Sequence, residues 1–395
     1  MEFNEQKDKE RHATWLELFY DLIFVVTISQ LAFYLHENIS FFRFLQFLLL
    51  FVPVWWAWVG TTFFATRFYS EDVVHRLLLL MQMGGAAALA VNIHDALGKT
   101  SMGFALSYAF MRFLLVVEYY RVLRRHSAES NKIKTNFPHP LIKRYIIGFS
   151  IASVIWIISA FVPNFEIRLF LWLVGLIIDF ATPITAGRLH SRFAPDVSHL
   201  PERMGLFTLI VLGESIVSIV VGMTNQTWNS YSVTVSSLGL CISFSLWWLY
   251  FSDVKGTAIQ AVREKAKIGI YYAWLYAHFP LVIGITAVGV GIKDIVSLEQ
   301  GRVIEPATLW LICISLTISL ISLTILQISR LEENINRFVY SKRWILFRAI
   351  TVTVILSIPV LFYEFSSTLF ISFILIIILS LQIIFDYICR SLKMV

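Results

Sequence analysis

Four side chains that can carry or exchange a charge lie deep inside long apolar stretches of this chain: Arg112, Asp179, Glu214 and His278. A charge in hydrocarbon costs several kcal/mol unless it is paired or hydrated, so such residues are candidates for an ion or proton pathway. At about 1.5 Å per helical residue, Glu214 lies roughly 15 Å deep, near a bilayer midplane, and the other three stand at a similar level on three further helices. Carboxylates and an imidazole at that depth can take up and release protons. Arg112 cannot neutralise itself and is read as the one permanent cation inside a span. It needs a carboxylate partner, which Glu214 or Asp179 can supply. The plainer reading is a buried ion pair that orients helices, with His278 a satisfied core histidine.

A second group opens the first apolar run. Glu17 and Asp21 are four residues apart and share a helical face. Thr14-Trp15-Leu16-Glu17 also fits a capping box, in which Glu17 reaches back to the Thr14 amide. Asp21 is one turn further in, where no cap explains it. Other signals are weaker. Gly84-Gly85 suits close helix packing, and His94-Asp95 suits a hydrated helix end. Pro53, Pro183, Pro280 and Pro359 are expected to kink their helices. Metal and cofactor chemistry is not expected: HExxH, CxxC, Walker A, GxSxG and a credible GxGxxG are all missing from the sequence. No legible nucleophile–base set points to an enzyme.

The elements that position these residues follow from composition. Of 395 residues, 57% are hydrophobic and only 15% charged, with 33 Phe, 12 Trp and a mean hydropathy of +0.72. An ordinary globular chain carries about 25% charge, and a soluble protein of this size has too little interior to hide so much apolar surface. Disorder and a secreted disulfide scaffold are excluded. The cysteines, Cys241, Cys313 and Cys389, fall in or beside apolar runs and show no disulfide pattern. A bilayer core needs about 20 apolar residues per helix. Such runs occur at 15–36, 43–64, 75–96, 103–122, 144–162, 167–187, 204–223, 232–252, 268–292, 306–328, 344–362 and 368–388. The expected fold is an all-α polytopic membrane protein with about twelve transmembrane helices. No cleavable signal peptide is read at the N-terminus.

The net charge of +6 might suggest nucleic acid, but its distribution argues otherwise. Counting a Lys or Arg within about five residues of a span end with the adjoining loop, 26 of the 32 fall on the termini and even-numbered loops, five on the odd loops, and one, Arg112, deep within a span. That asymmetry is the positive-inside signature. It predicts a multi-pass cell-membrane protein with both termini cytoplasmic, whose partners are membrane lipid and protons or small ions.

The second half echoes the first. Trp55-Trp56 recurs as Trp247-Trp248, Lys143-Arg144-Tyr145-Ile146 as Lys342-Arg343-Trp344-Ile345, and Asp21 aligns near Glu214, all at offsets close to 200 residues. Two parallel six-helix repeats are expected, at 15–187 and 204–388. They are flanked by a cytoplasmic segment at 1–14, a linker at 188–203 and a C-terminus at 389–395. Transporters commonly place their site between such repeats.

Two stretches resemble the signatures of the bacterial low temperature requirement protein A family. Residues 11–26, RHATWLELFYDLIFVV, resemble its opening W-x-E-L-F-x-D-L-x-F, with Tyr20 where Phe is usual. Residues 199–222, HLPERMGLFTLIVLGESIVSIVVG, resemble its E-R-x-G-L-F-x-x-x-x-L-G-E. By position, the motif residues are Arg11, Trp15, Glu17, Phe19, Asp21, His199, Glu202, Arg203, Gly213, Glu214 and Ser215. The resemblance implies an integral membrane protein linked to growth in the cold and names no substrate. The expected pathway residues are therefore Asp21, Glu214, Arg112, Asp179 and His278, with Glu17, Glu202, Arg203 and Ser215 in supporting positions. The expected activity is ion- or proton-coupled transport or conduction. The alternative is a membrane-embedded sensor or scaffold for growth in the cold.

Overall fold

In a computed structural model, the described residues are 12–68, 72–129, 138–186, 189, 196, 199–224, 226–252, 268–329, 338–362 and 367–391. Arg11 and most of the expected 188–203 linker lie outside them. Among the described residues, twelve helices are long and apolar enough to cross a membrane. They are α1 (Trp15–His36), α2 (Phe41–Arg67), α3 (Val73–Asn92), α4 (Ser101–Glu129), α5 (His139–Ala160), α6 (Phe165–Ala186), α7 (His199–Met223), α8 (Ser230–Phe251), α9 (Ile268–Val296), α10 (Pro306–Ile328), α11 (Phe338–Leu361) and α12 (Thr368–Ser391). Among the described residues the only extended pairing is an isolated bridge between Val303 and Ser367. The all-helical reading follows from the bilayer, which leaves an unpaired backbone amide no water to bond.

Helix starts carry local chemistry. Thr14 and Glu17 form the expected capping box at α1: the Glu17 amide meets Thr14 Oγ1 at 3.3 Å, and Glu17 Oε2 accepts from the Thr14 amide at 2.8 Å. Asn229 and Ser232 cap α8 reciprocally. Asp72 caps α3 through the His75 amide at 2.7 Å. It also accepts two bonds of 3.0 Å from Arg121 and pairs with Arg125. Partial burial works against ionisation of Asp72, but the His75 amide and the two arginines outweigh it and hold the carboxyl well below its usual range. All four prolines named above lie inside helices: Pro53 in α2, Pro183 in α6, Pro280 in α9 and Pro359 in α11.

The helices group into two compact units. One takes in α1 as far as Leu31 together with Leu49–Met204; the other takes in Ala32–Leu48, Gly205–Ala258 and Ile270–Val395. In the first, α4 packs on α3 and α5, and α5 on α6; in the second, α11 packs on α10 and α12, and α12 on α8. An aromatic cluster of Phe64, Phe68, Tyr119, Tyr145 and Phe149 fills part of the first core. Apolar side chains such as Ile147, Phe170 and Ile177 stay exposed along α5 and α6, as a lipid-facing surface requires.

Candidate functional site

The first unit gathers charge at the beginnings of α1 and α7. Glu17 and Asp21 stand four apart on α1, and His199 and Arg203 four apart on α7, so each helix turns one pair toward the other. Arg203 donates to Asp21 Oδ1 at 2.6 Å and lies 3.4 Å from Glu17 Oε1. His199 Nε2 is 3.4 Å from Glu17 Oε2. Trp58 of α2 donates its indole N–H to the same Asp21 oxygen at 2.7 Å. All five side chains are buried, Asp21 and Arg203 to 1% exposure and His199 to 0%. Glu17 therefore serves two roles at once, cap and ion-pair partner. The other Asp21 oxygen, Oδ2, and Arg203 Nε have no hydrogen-bond partner among the described residues.

Arg203 was expected in the linker and is instead inside α7, fully buried. Its neighbour Glu202 points away, accepts from the Ala13 amide at 3.1 Å and lies 3.6 Å from His12, which ties down the segment before α1. Trp15 and Phe19 of the first motif face outward.

Deeper in the same unit, Arg112 of α4 meets Asp179 of α6 at 3.3 Å. Asp179 is thus the partner that the isolated arginine required. Tyr108, one turn before Arg112, accepts from its Nε at 2.9 Å and donates its own hydroxyl to Asp179. The guanidinium also lies 5.0 Å from the Tyr108 ring and 5.4 Å from the Phe149 ring. Arg112 Nη2 and Asp179 Oδ1 keep one free donor and one free acceptor among the described residues. Tyr20 of α1 is within electrostatic reach of both Arg112 and Arg203. Gly60 of α2 makes room for the pair, because a Cβ there would stand 2.5 Å from Arg112 Nη1. Gly60→Ala is accordingly expected to push the guanidinium off Asp179 and lower the thermal midpoint of the purified protein by several degrees. An unchanged midpoint would mean that the pair tolerates displacement.

The second unit holds the remaining expected residues. His278 Nδ1 meets the Trp274 carbonyl at 2.9 Å and must donate there, which leaves Nε2 to accept from the Tyr250 hydroxyl at 3.1 Å. This is the bonding of a satisfied core histidine. Ser215 donates to the Ile285 carbonyl at 3.2 Å where α7 runs close to α9. Glu214 is buried on α7 and acts electrostatically on Lys293 of α9. Of the four midplane residues, the structure brings Arg112 and Asp179 into contact.

Sequence reasoning treated Arg112 as the single permanent cation inside the spans, and the structure corrects this. Besides Arg203, Arg348 is buried on α11 and donates to Asp386 of α12 at 2.8 Å. Trp344 and Gln382 both donate to the other Asp386 oxygen at 2.7 Å. A further missed pair is His75 of α3 with Glu118 of α4, at 2.9 Å. The available signal was polar or aromatic partners three or four residues apart near the end of an apolar run, as in Trp344 with Arg348. Hydropathy counting treats such positions as the water-facing ends of spans. Among the described residues no cluster of three or more His, Cys, Asp or Glu is arranged to hold a metal ion.

The paired acids of α1 and the basic pair of α7 fall on the two motif stretches, and comparison with known proteins bears on both. The chain is 27% identical over 300 residues to an uncharacterized protein of Rhizobium meliloti (strain 1021), RA0937, covering 73% of this chain and 70% of that one. Residues 12–383 match the family described as bacterial low temperature requirement A protein (LtrA), nearly the whole length. The chain, a multi-pass helical membrane protein, belongs to that family.

Proposed function

We propose that the protein is an ion- or proton-coupled transporter or channel of the cell membrane, not an enzyme, with both termini cytoplasmic and two parallel six-helix repeats. The observation that carries this reading is the buried charge of the first unit. Two carboxylates, Glu17 and Asp21, face one guanidinium, Arg203, and a second ion pair, Arg112 with Asp179, lies deeper. Packing alone does not call for this much charge, since apolar side chains of similar volume often stabilise a core as well as a buried ion pair does. The atoms without a hydrogen-bond partner among the described residues, Asp21 Oδ2, Arg203 Nε, Arg112 Nη2 and Asp179 Oδ1, mix donors with acceptors. That mixture suits water or a hydrated proton better than a closed structural network. A sensor or scaffold reading draws on Asp386, whose two oxygens are both engaged by neighbours.

The test is flux in proteoliposomes carrying a pH-sensitive dye. A pH gradient or an imposed potential is expected to drive proton movement at least about tenfold faster than in protein-free vesicles, a rate change of about 1.4 kcal/mol in barrier. No flux across protons and monovalent cations would favour the scaffold. Orientation is tested separately by cysteine accessibility. Single cysteines within 123–142 should be protected in intact cells, and those within 224–230 should be labelled from outside. The reverse pattern would invert the topology.

A further inference from the structure

One turn of α2 runs past both ion pairs of the first unit. Trp58 donates to Asp21, Gly60 lies against Arg112, and Thr61 stands beside Tyr20 of α1. Tyr20 is within electrostatic reach of members of both pairs, Asp21 and Arg203 on one side and Arg112 on the other. It is exposed to only 1%, yet its hydroxyl has no hydrogen-bond partner among the described residues. Thr61 does not satisfy it, because the Thr61 hydroxyl gives its proton to Gln82 Oε1 at 2.6 Å. A phenol is both donor and acceptor, and burying it without a partner is costly. Each ion pair carries an atom in the same condition. Among the described residues, Asp21 Oδ2 lacks a donor and Arg112 Nη2 lacks an acceptor.

We infer that the Tyr20 hydroxyl is a buried water-binding site, at which water accepts from Arg112 Nη2, donates to Asp21 Oδ2 and bonds the phenol, and so joins the two ion pairs. A buried water ordinarily makes about three hydrogen bonds, to polar groups that the protein leaves unsatisfied. These three atoms supply one donor, one acceptor and one group able to act as either. A dry pocket would leave all three unbonded in an apolar interior, where the loss is greatest. The inference deepens the transport reading and rests on it for the role of the water, a link between Asp21 near the start of α1 and Asp179 deeper in the unit. A proton arriving on the Asp21 side binds the water oxygen. Another of that water's protons leaves toward Asp179 Oδ1, which has no hydrogen-bond partner among the described residues. One O–H bond forms, another breaks, the water is restored, and one positive charge has moved inward.

The water is detectable without any flux. Of the 15 tyrosines, Tyr20 alone is followed by aspartate, so ¹³C-tyrosine with ¹⁵N-aspartate singles out its signal in wild-type protein held in lipid. In water-edited solid-state NMR, magnetisation from water protons is expected to reach the Tyr20 ring several-fold faster than it reaches Ile28, two turns further along α1 and likewise buried. Equally slow build-up at the two residues overturns the inference, and no variant has to fold for that result to count. Tyr20→Phe gives a second reading. Deleting a hydroxyl that bonds nothing leaves a core unchanged or more stable, whereas deleting one that holds a bridging water strands the water and its partners. The thermal midpoint is therefore expected to fall by several degrees, and an unchanged or higher midpoint overturns the site. The outcome also separates site from function. Fast build-up at Tyr20 in a protein without flux keeps the water site and sinks transport; a dry Tyr20 in a protein with pH-driven flux sinks the site and keeps transport.

Discussion

Arg112→Gln is expected to destabilise the protein by about 3–5 kcal/mol, the usual cost of stranding one member of a buried ion pair. Asp179, at 0% exposure, would be left with the Tyr108 hydroxyl as its one partner among the described residues. Asp179→Asn should cost a comparable amount, because the guanidinium would keep only its bond to Tyr108 and its two aromatic neighbours. Combining Arg112→Gln with Asp179→Asn removes both charges and should recover a large part of the loss. The measurement is a double-mutant cycle on thermal or denaturant stability in detergent. Strict additivity would show that the 3.3 Å contact carries no coupling energy, and the midplane pair would lose its standing as an anchor.

The contrast between what the sequence reveals and what it hides has a physical basis. Spans are legible because hydrocarbon thickness demands long unbroken apolar runs, and α1, α10 and α12 begin at Trp15, Pro306 and Thr368, where those runs begin. Arg112 stood out for the same reason, as a cation far from either end of its run. Arg203 and Arg348 were hidden because they lie beside or just inside the ends of their apolar runs, where a long side chain ordinarily reaches water. Only the fold shows that each is buried. The Arg203–Asp21 contact joins residues 182 apart in sequence, and no periodicity predicts it. Still, each partner advertised itself locally. Glu17 with Asp21 and His199 with Arg203 are both four-residue pairs, the spacing that sets two side chains on one helical face. Glu17 shows how two readings of one residue can both hold, since a capping carboxylate has a second oxygen to offer.

Arg203→Gln is expected to have the largest functional effect, and its combinations separate transport from scaffolding. The guanidinium reaches Asp21 at 2.6 Å and Glu17 at 3.4 Å with two different nitrogens, a spread suited to its planar fork. Arg203→Lys keeps the charge but offers one compact ammonium, so it should satisfy Asp21 or Glu17 and not both. Removal of the guanidinium leaves two buried carboxylates about one helical turn apart, and a loss of about 3–5 kcal/mol is expected from the broken pair. Arg203→Gln with Asp21→Asn restores charge balance, so stability should return most of the way. If the cluster is only a lock between α1 and α7, function should return with it. If the carboxylate takes part in moving protons, the double variant should be well folded and still at least about tenfold slower in the proteoliposome assay, a barrier rise of about 1.4 kcal/mol. Stability and flux recovered together in that variant would assign Asp21 to architecture and remove it from the pathway.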